Sequence, residues 1–325
     1  MKTALILPYF GTFPNYFNLH LHTIKSNPSF NWIIFTDDKK TYNYPNNVTV
    51  IYTSFQEIKI LFQSKFNFEI SLETPFKLCD YRPAFGSVFQ DYLKEYDFWG
   101  HCDPDILWGN FDNFINYDRL KKFDKIFTFG HLTLYKNNEE NNLRYLKKCN
   151  NETRYKTVFT NPIGFAFDEK FNKSINSIYL ENNFSIYLKN VAADISPYYT
   201  NFKLSIYNYN THLYSNEFID KQLFTWENGS IFRYFIANNQ LLKEEFLYIH
   251  LQKRTMKFSF AAANSKHILI SPLEFKEIDT TITFENFKLL YKKYWFNKQF
   301  LKVKWSSFKY KLKYKDYFYG YKKNV

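Results

Sequence analysis

Over its first 130 residues the chain alternates short apolar runs with stretches of helical periodicity. Ala4–Leu7, Asn31–Phe35, Val48–Tyr52, Phe98–Cys102 and Lys125–Phe129 read as buried strands, the first ended by Pro8. Between them, Asn15 to Lys25 carries Phe17, Leu21 and Ile24 at helical spacing. Phe55, Ile58, Leu61 and Phe62 mark a second helix, and Ala84–Leu93, opened by Pro83, a third. Apolar strands separated by helices suit a parallel sheet, whose crossovers lay helices on its faces. The expectation is an α/β fold with a mixed, mainly parallel central sheet and ligands at the strand ends. The second half is less regular. Phe224–Phe232 reads as a hairpin on Asn228-Gly229, and Phe246–Leu251 as a late strand. With no internal repeat and no Gly/Ser/Pro-rich linker, one domain is expected over 1–283, followed by a tail over 284–325.

Composition excludes several classes. A chain 45% hydrophobic and 23% charged, with mean hydropathy −0.46, has material for a core and is not disordered. It has 8 glycines and neither G-x-G-x-x-G nor G-x-x-x-x-G-K-[ST], which argues against a Rossmann site or a P-loop. Any phosphate must then be neutralised by a metal or by Lys and Arg. Cys79, Cys102 and Cys149 are too scattered for a disulfide framework or a Cys-rich zinc site, and they fit a reducing compartment. The apolar run at Ala4–Leu7 is too short for a signal peptide, and no run of about 20 apolar residues offers a membrane span. A cytoplasmic location is expected.

The net charge of +12 is unevenly placed. Residues 286–325 hold 12 Lys and one acid, Asp316; the remainder holds 31 basic and 30 acidic residues. Within that tail Leu301, Trp305, Phe308 and Leu312 recur at helical spacing, flanked by Lys302, Lys309 and Lys313. A basic amphipathic helix with Trp and Phe suits an anionic membrane surface. The same pattern serves a terminal helix packed on the body, and, with less support, nucleic-acid binding. Strict apolar/Lys alternation from Phe308 to Lys315 leaves a strand open as well.

Three segments carry candidate chemistry. Tyr96–Gly109 (Y-D-F-W-G-H-C-D-P-D-I-L-W-G) runs an aromatic strand into Asp103-Pro104-Asp105. Two carboxylates at a strand end make a hard, oxygen-rich site for Mg²⁺ or Mn²⁺; the alternative is a solvated acidic turn. In Pro75–Gly86, Lys77, Asp80 and Arg82 precede a helix, where they suit a phosphorylated sugar, or equally helix caps and ion pairs. In Tyr248–Arg254, His250 at a strand end is either a metal ligand or structural, and Lys253 or Arg254 can reach a pyrophosphate.

Taken together, Leu5–Gly11 with Phe35-Thr36-Asp37, Lys77–Pro83 and Trp99–Asp105 resemble a family of bacterial glycosyltransferases of the GT-A fold, associated with capsule and lipopolysaccharide synthesis. The resemblance covers roughly residues 1–255, is strongest over 75–110, and leaves the tail unmatched. It implies a nucleotide-diphospho-sugar transferase fold. It implies that Pro8, Tyr9, Phe10 and Gly11, with Asp37, hold the base and ribose; that Asp103, Asp105 and His250 hold Mn²⁺ or Mg²⁺; and that Lys77 and Lys253 serve the donor, Lys253 on its diphosphate. Asp80 and Arg82 would hold the donor sugar, which favours retention of configuration; Asp194 is the candidate base if the reaction inverts; Asn161–Phe165 would line the acceptor side. The implied reaction moves a galactose- or glucose-type hexose from a UDP-sugar to a glycan or lipid-linked glycan, at the inner face of the cytoplasmic membrane. A metal-dependent nucleotidyl- or phosphotransferase uses the same residue types, and a non-catalytic polysaccharide- or nucleic-acid-binding protein would suit the aromatic and basic content.

Overall fold

The computed structural model describes all residues except 212, 218, 253, 258–264, 297 and 315–325. The chain forms two compact units from interleaved segments. The first takes residues 1–13, 27–104 and 111–190; the second takes 14–26, 105–110 and 191–325.

The first unit is built on a seven-stranded sheet. Numbering strands along the whole chain, it holds β1 (Thr3–Tyr9), β2 (Phe30–Thr36), β3 (Val48–Tyr52), β4 (Phe98–Cys102), β6 (Lys125–Phe129), β7 (Leu132–Lys136) and β8 (Ile186–Tyr187), in the order β3-β2-β1-β4-β7-β6-β8. β1 pairs in parallel with both β2 and β4, and β2 with β3. β7 runs antiparallel to β4 and β6. The sheet is therefore mixed and mainly parallel. β1 extends past Pro8 to Tyr9, because the strand's later residues are only half-buried and its ladder continues to Thr36.

The order matters for function. After β1 the chain lays strands on one side, then returns to place β4 on the other. In open α/β sheets, ligands bind outside the carboxyl ends of the strands at such a switch point. Here those ends are Tyr9-Phe10-Gly11 and Asp103.

Aromatic residues fill the core of this unit. Tyr81 stacks on Phe159 with ring centroids 4.1 Å apart, and Trp99 on Tyr135 at 4.4 Å. Gly100 is required where β4 lies between β1 and β7: a β-carbon there would sit 2.4 Å from the Thr133 carbonyl oxygen. The helix expected over Ala84–Leu93 is instead two short helical turns, Phe85–Val88 and Gln90–Leu93, preceded by the 3₁₀ turn Arg82–Ala84. The backbone leaves helical geometry at Phe89, whose ring is fully buried between Phe35, Phe62 and Phe85.

The second unit contains two main sheets. The smaller orders β5 (Ile106–Trp108), β15 (Tyr248–His250) and β9 (Ala192–Asp194). The larger is antiparallel: β14 (Gln240–Phe246), β13 (Ser230–Ala237), β12 (Gln222–Glu227), β16 (His267–Ile270) and β17 (Phe275–Glu277). The β12–β13 turn is the expected Asn228-Gly229, with φ of 49° and 97°. β10 (Ser205–Asn208) and β11 (Leu213–Asn216) form a separate pair. The helix Phe17–Lys25 packs over β5: the His20 ring bonds the Ile106 carbonyl through Nδ1 at 2.6 Å, and Thr23 Oγ1 accepts from Trp108 N at 3.1 Å. Burial pushes His20 down to about 4, which keeps the ring neutral there. Two helices, Phe284–Leu290 and Lys298–Lys313, close the described chain. Among the described residues no helix is long and apolar enough to cross a membrane.

Candidate active site

In the first unit, the loop after β1 is fastened to the end of β2. Gly11 has φ of 97°, which glycine adopts without strain, and its N–H donates to Asp37 Oδ1 at 2.7 Å. Two further donors, Phe13 N at 3.2 Å and Tyr42 Oη at 2.8 Å, converge on Asp38. Burial works against the charged form of Asp38, yet the bonds from Tyr42, Lys40 and Phe13 hold its carboxyl below the ordinary range. The structure thus brings Pro8, Tyr9, Phe10, Gly11 and Asp37 together at the switch point.

Across that point, Asp103 leaves β4 beside Arg82. The guanidinium is shared: Nη2 pairs with Asp103, while Nη1 donates to Asp168 Oδ2 at 2.9 Å and to the Gly130 carbonyl at 2.7 Å. Asp168 is almost wholly buried. One cation cannot neutralise two carboxylates, and burial pushes the Asp168 carboxyl up to about 8 against the pull of Arg82. The sequence reading missed Asp168. Its signal was the apolar Phe165-Ala166-Phe167 run delivering Asp168-Glu169, which no motif had drawn attention to.

Lys77 and Asp80 pair with each other and with one later segment. Lys77 Nζ gives its three protons to Asp80 Oδ2 at 2.8 Å and to the carbonyls of Val158 at 2.9 Å and Ile163 at 2.6 Å. Asp80 in turn accepts from the N–H groups of Phe165 at 3.0 Å and Phe167 at 3.0 Å. Both side chains are buried. The pair clamps the 158–167 segment. Asn161–Phe165, expected on the acceptor side, is the segment they hold.

In the second unit the small sheet aligns three groups. His250 is the register partner of Asp194 in β9 and of Ile106 in β5, and Leu251 N donates to the Asp105 carbonyl at 3.0 Å. The side chains follow. His250 Nε2 faces Asp105 Oδ1 at 3.4 Å, and Nδ1 lies 2.8 Å from Asp194 Oδ1. Gln252 Nε2 also donates to Asp194 Oδ1, at 2.8 Å. Burial disfavours the charged ring, but the two carboxylates outweigh it and raise the His250 pKa well above its ordinary value. The geometry therefore favours a positive charge between His250 Nε2 and Asp105, where a metal ion would replace the proton. That donor set, one imidazole and hard carboxylate oxygen, fits Mn²⁺ or Mg²⁺. Asp194 sits on the far side of the ring and fixes its tautomer, the usual place of an outer carboxylate behind a metal-binding histidine.

Of the remaining expected residues, Arg254 is buried and donates to the carbonyls of Ser196 at 3.1 Å and Tyr199 at 2.9 Å, which makes it structural. Lys253 lies outside the described residues.

The chain belongs to a family of unknown function, DUF6625, whose model matches residues 5–279. No curated protein matches it in sequence. Among solved structures, it is similar to mouse xyloside xylosyltransferase 1 in its apo form, at 8% identity and TM-score 0.37 over 60% of this chain and 88% of that one. It is also similar to the galactosyltransferase LgtC in complex with donor and acceptor sugar analogs, at 9% identity and TM-score 0.34 over 61% of this chain and 77% of that one.

Proposed function

We propose that this protein is a metal-dependent glycosyltransferase that moves a hexose from a UDP-sugar to a glycan acceptor. The observation that carries the reading is the buried Asp105–His250–Asp194 row, two residues along the chain from an Asp103 that ends a strand at the switch point of a mainly parallel sheet. Asp105 and His250 would hold the metal. When bound, the ion supplies Lewis-acid stabilisation of the departing diphosphate. The chain's own residues do the rest. Asp194 holds His250 in the tautomer that points Nε2 outward. Arg82 fixes the Asp103 carboxylate. The Gly11–Asp37 bond shapes the loop for a nucleotide, and Lys77 with Asp80 sets the segment before Phe167. This division supplies charge without a glycine-rich loop, in keeping with 8 glycines in 325 residues. Retention of configuration, which the resemblance at Asp80 and Arg82 implies, is part of the proposal. A role in bacterial surface polysaccharide synthesis at the inner membrane face is part of the proposal, motivated by the basic tail.

The test is release of UDP by the purified full chain from a panel of UDP-sugars, with Mn²⁺ or with EDTA. Metal-dependent release from one sugar, lost in Asp105→Ala, is expected. No release, together with no UDP binding by calorimetry in the presence of Mn²⁺, would overturn the proposal. Release of a nucleoside monophosphate instead would mark a phosphotransferase.

A further inference from the structure

The C-terminal helix Lys298–Lys313 lies beyond the segment that matches the family model. At about 100° per residue, Leu301, Trp305, Phe308 and Leu312 fall within roughly 60° of one another. All four are exposed, at 53%, 59%, 52% and 57%. Val303, Tyr310 and Tyr314, which lie about half a turn away, are half-buried or buried, as is Phe300. The helix thus presents the apolar stripe outward.

The lysines are placed by the same arithmetic. Lys302, Lys309 and Lys313 border one edge of the stripe, and Lys304 and Lys311 the other. All five are exposed, and the helix contains no acidic residue. Lys309 lies over the Trp305 ring at 5.4 Å, and that ring stacks with Phe308 at 5.8 Å. Trp295, Phe296 and Leu289, just upstream, are also exposed.

An apolar stripe needs an occupant. A second copy of this helix would set lysine rows against lysine rows, with no acid to pair them. The protein's own body leaves the four stripe residues exposed. A surface that is apolar beneath and anionic above matches both features: lysines at the level of phosphate headgroups, with Trp and Phe among the acyl chains.

We propose that the helix Lys298–Lys313 is an interfacial anchor that lies along an anionic phospholipid surface, with Trp305 and Phe308 inserted and the two lysine rows on the headgroups. This bears on where the enzyme works, and it stands whether or not the donor reading does.

The experiment uses the full chain with phosphatidylcholine vesicles, with and without phosphatidylglycerol, separated by sedimentation. Binding to the anionic vesicles only, weakening with salt, is expected. Lys302→Gln, Lys309→Gln and Lys313→Gln together should lower the partition coefficient by about five-fold per lysine. Trp305→Ser with Phe308→Ser should lower it more than about ten-fold. UDP release should be unchanged in both variants, since none of these residues belongs to the active site. Asp105→Ala should bind vesicles as the wild type does, so failure of the anchor and failure of the enzyme reading are distinguishable. Equal binding to neutral vesicles, wild-type binding by the Trp305/Phe308 variant, or a concentration-dependent dimer that this variant abolishes would each overturn the proposal.

Discussion

Asp103 and Asp105 are separated by one proline, yet they keep different company. Asp103 is paired with Arg82, a permanent cation that a buried Asp168 also holds. Asp105 faces His250, a cation only while its ring is doubly protonated. A guanidinium does not surrender its charge at any working pH, whereas an imidazolium releases a proton and leaves a ligand lone pair. The first carboxylate is held in place; the second stands opposite a group that can exchange a proton for a metal. A two-carboxylate motif read as symmetric in sequence is asymmetric in chemistry.

Four substitutions sharpen or break that contrast. The largest effect belongs to Asp105→Ala, which should lower metal-dependent UDP release by roughly a thousand-fold, about 4 kcal/mol in the barrier; retention of a tenth of the activity would show that the His250 side is not the metal site. Next, Arg82→Met should cost about 3 kcal/mol of stability in urea unfolding, because it leaves Asp103 without its cation and the buried Asp168 and Gly130 oxygens without their donor. A loss under about 1 kcal/mol would mean that those carboxylates are neutralised otherwise. Asp194→Asn should weaken Mn²⁺ binding about 10- to 100-fold by calorimetry while the fold persists. Wild-type affinity there would remove Asp194 from the positioning of His250.

The last prediction concerns pH dependence. The Asp168 carboxyl is raised to about 8 in the folded chain, chiefly by burial, so between its unfolded value and 8 the native state binds the extra proton. That contribution is full below about pH 4 and is lost as pH rises through 8. Asp168→Asn should flatten the stability profile in this window by up to about 1.4 kcal/mol per pH unit. An unchanged slope would show that Asp168 remains ionised beside Arg82.

Local features of this chain were readable from its sequence, and pairings over distance were not. The aromatic run Phe98–Cys102 announced a buried strand delivering carboxylates, and Asn228-Gly229 announced its hairpin. The four-three-four spacing of the tail announced a helix, and the alternative strand from Phe308 is not formed up to Lys313. By contrast, Arg82 and Asp168 lie 86 residues apart, and nothing local to either names the other. His250 and Asp194 meet through the register of β15 on β9, which a sequence read strand by strand does not contain. For Lys77 and Asp80 the spacing was visible, but the carbonyl partners of Lys77, more than 80 residues further on, were not.

The interleaving of the two units sets the order in which this protein can become complete. β5 has no partner strand until β15 (Tyr248–His250) is made, and β15 in turn pairs with β9. As the chain emerges from the ribosome, the first unit has all its strands once Tyr187 is out, while Asp105 waits for Tyr248–His250. Such distant closures are slow steps of folding. A nascent or truncated chain therefore carries the loops at the ends of β1 and β4 well before it owns the histidine opposite Asp105.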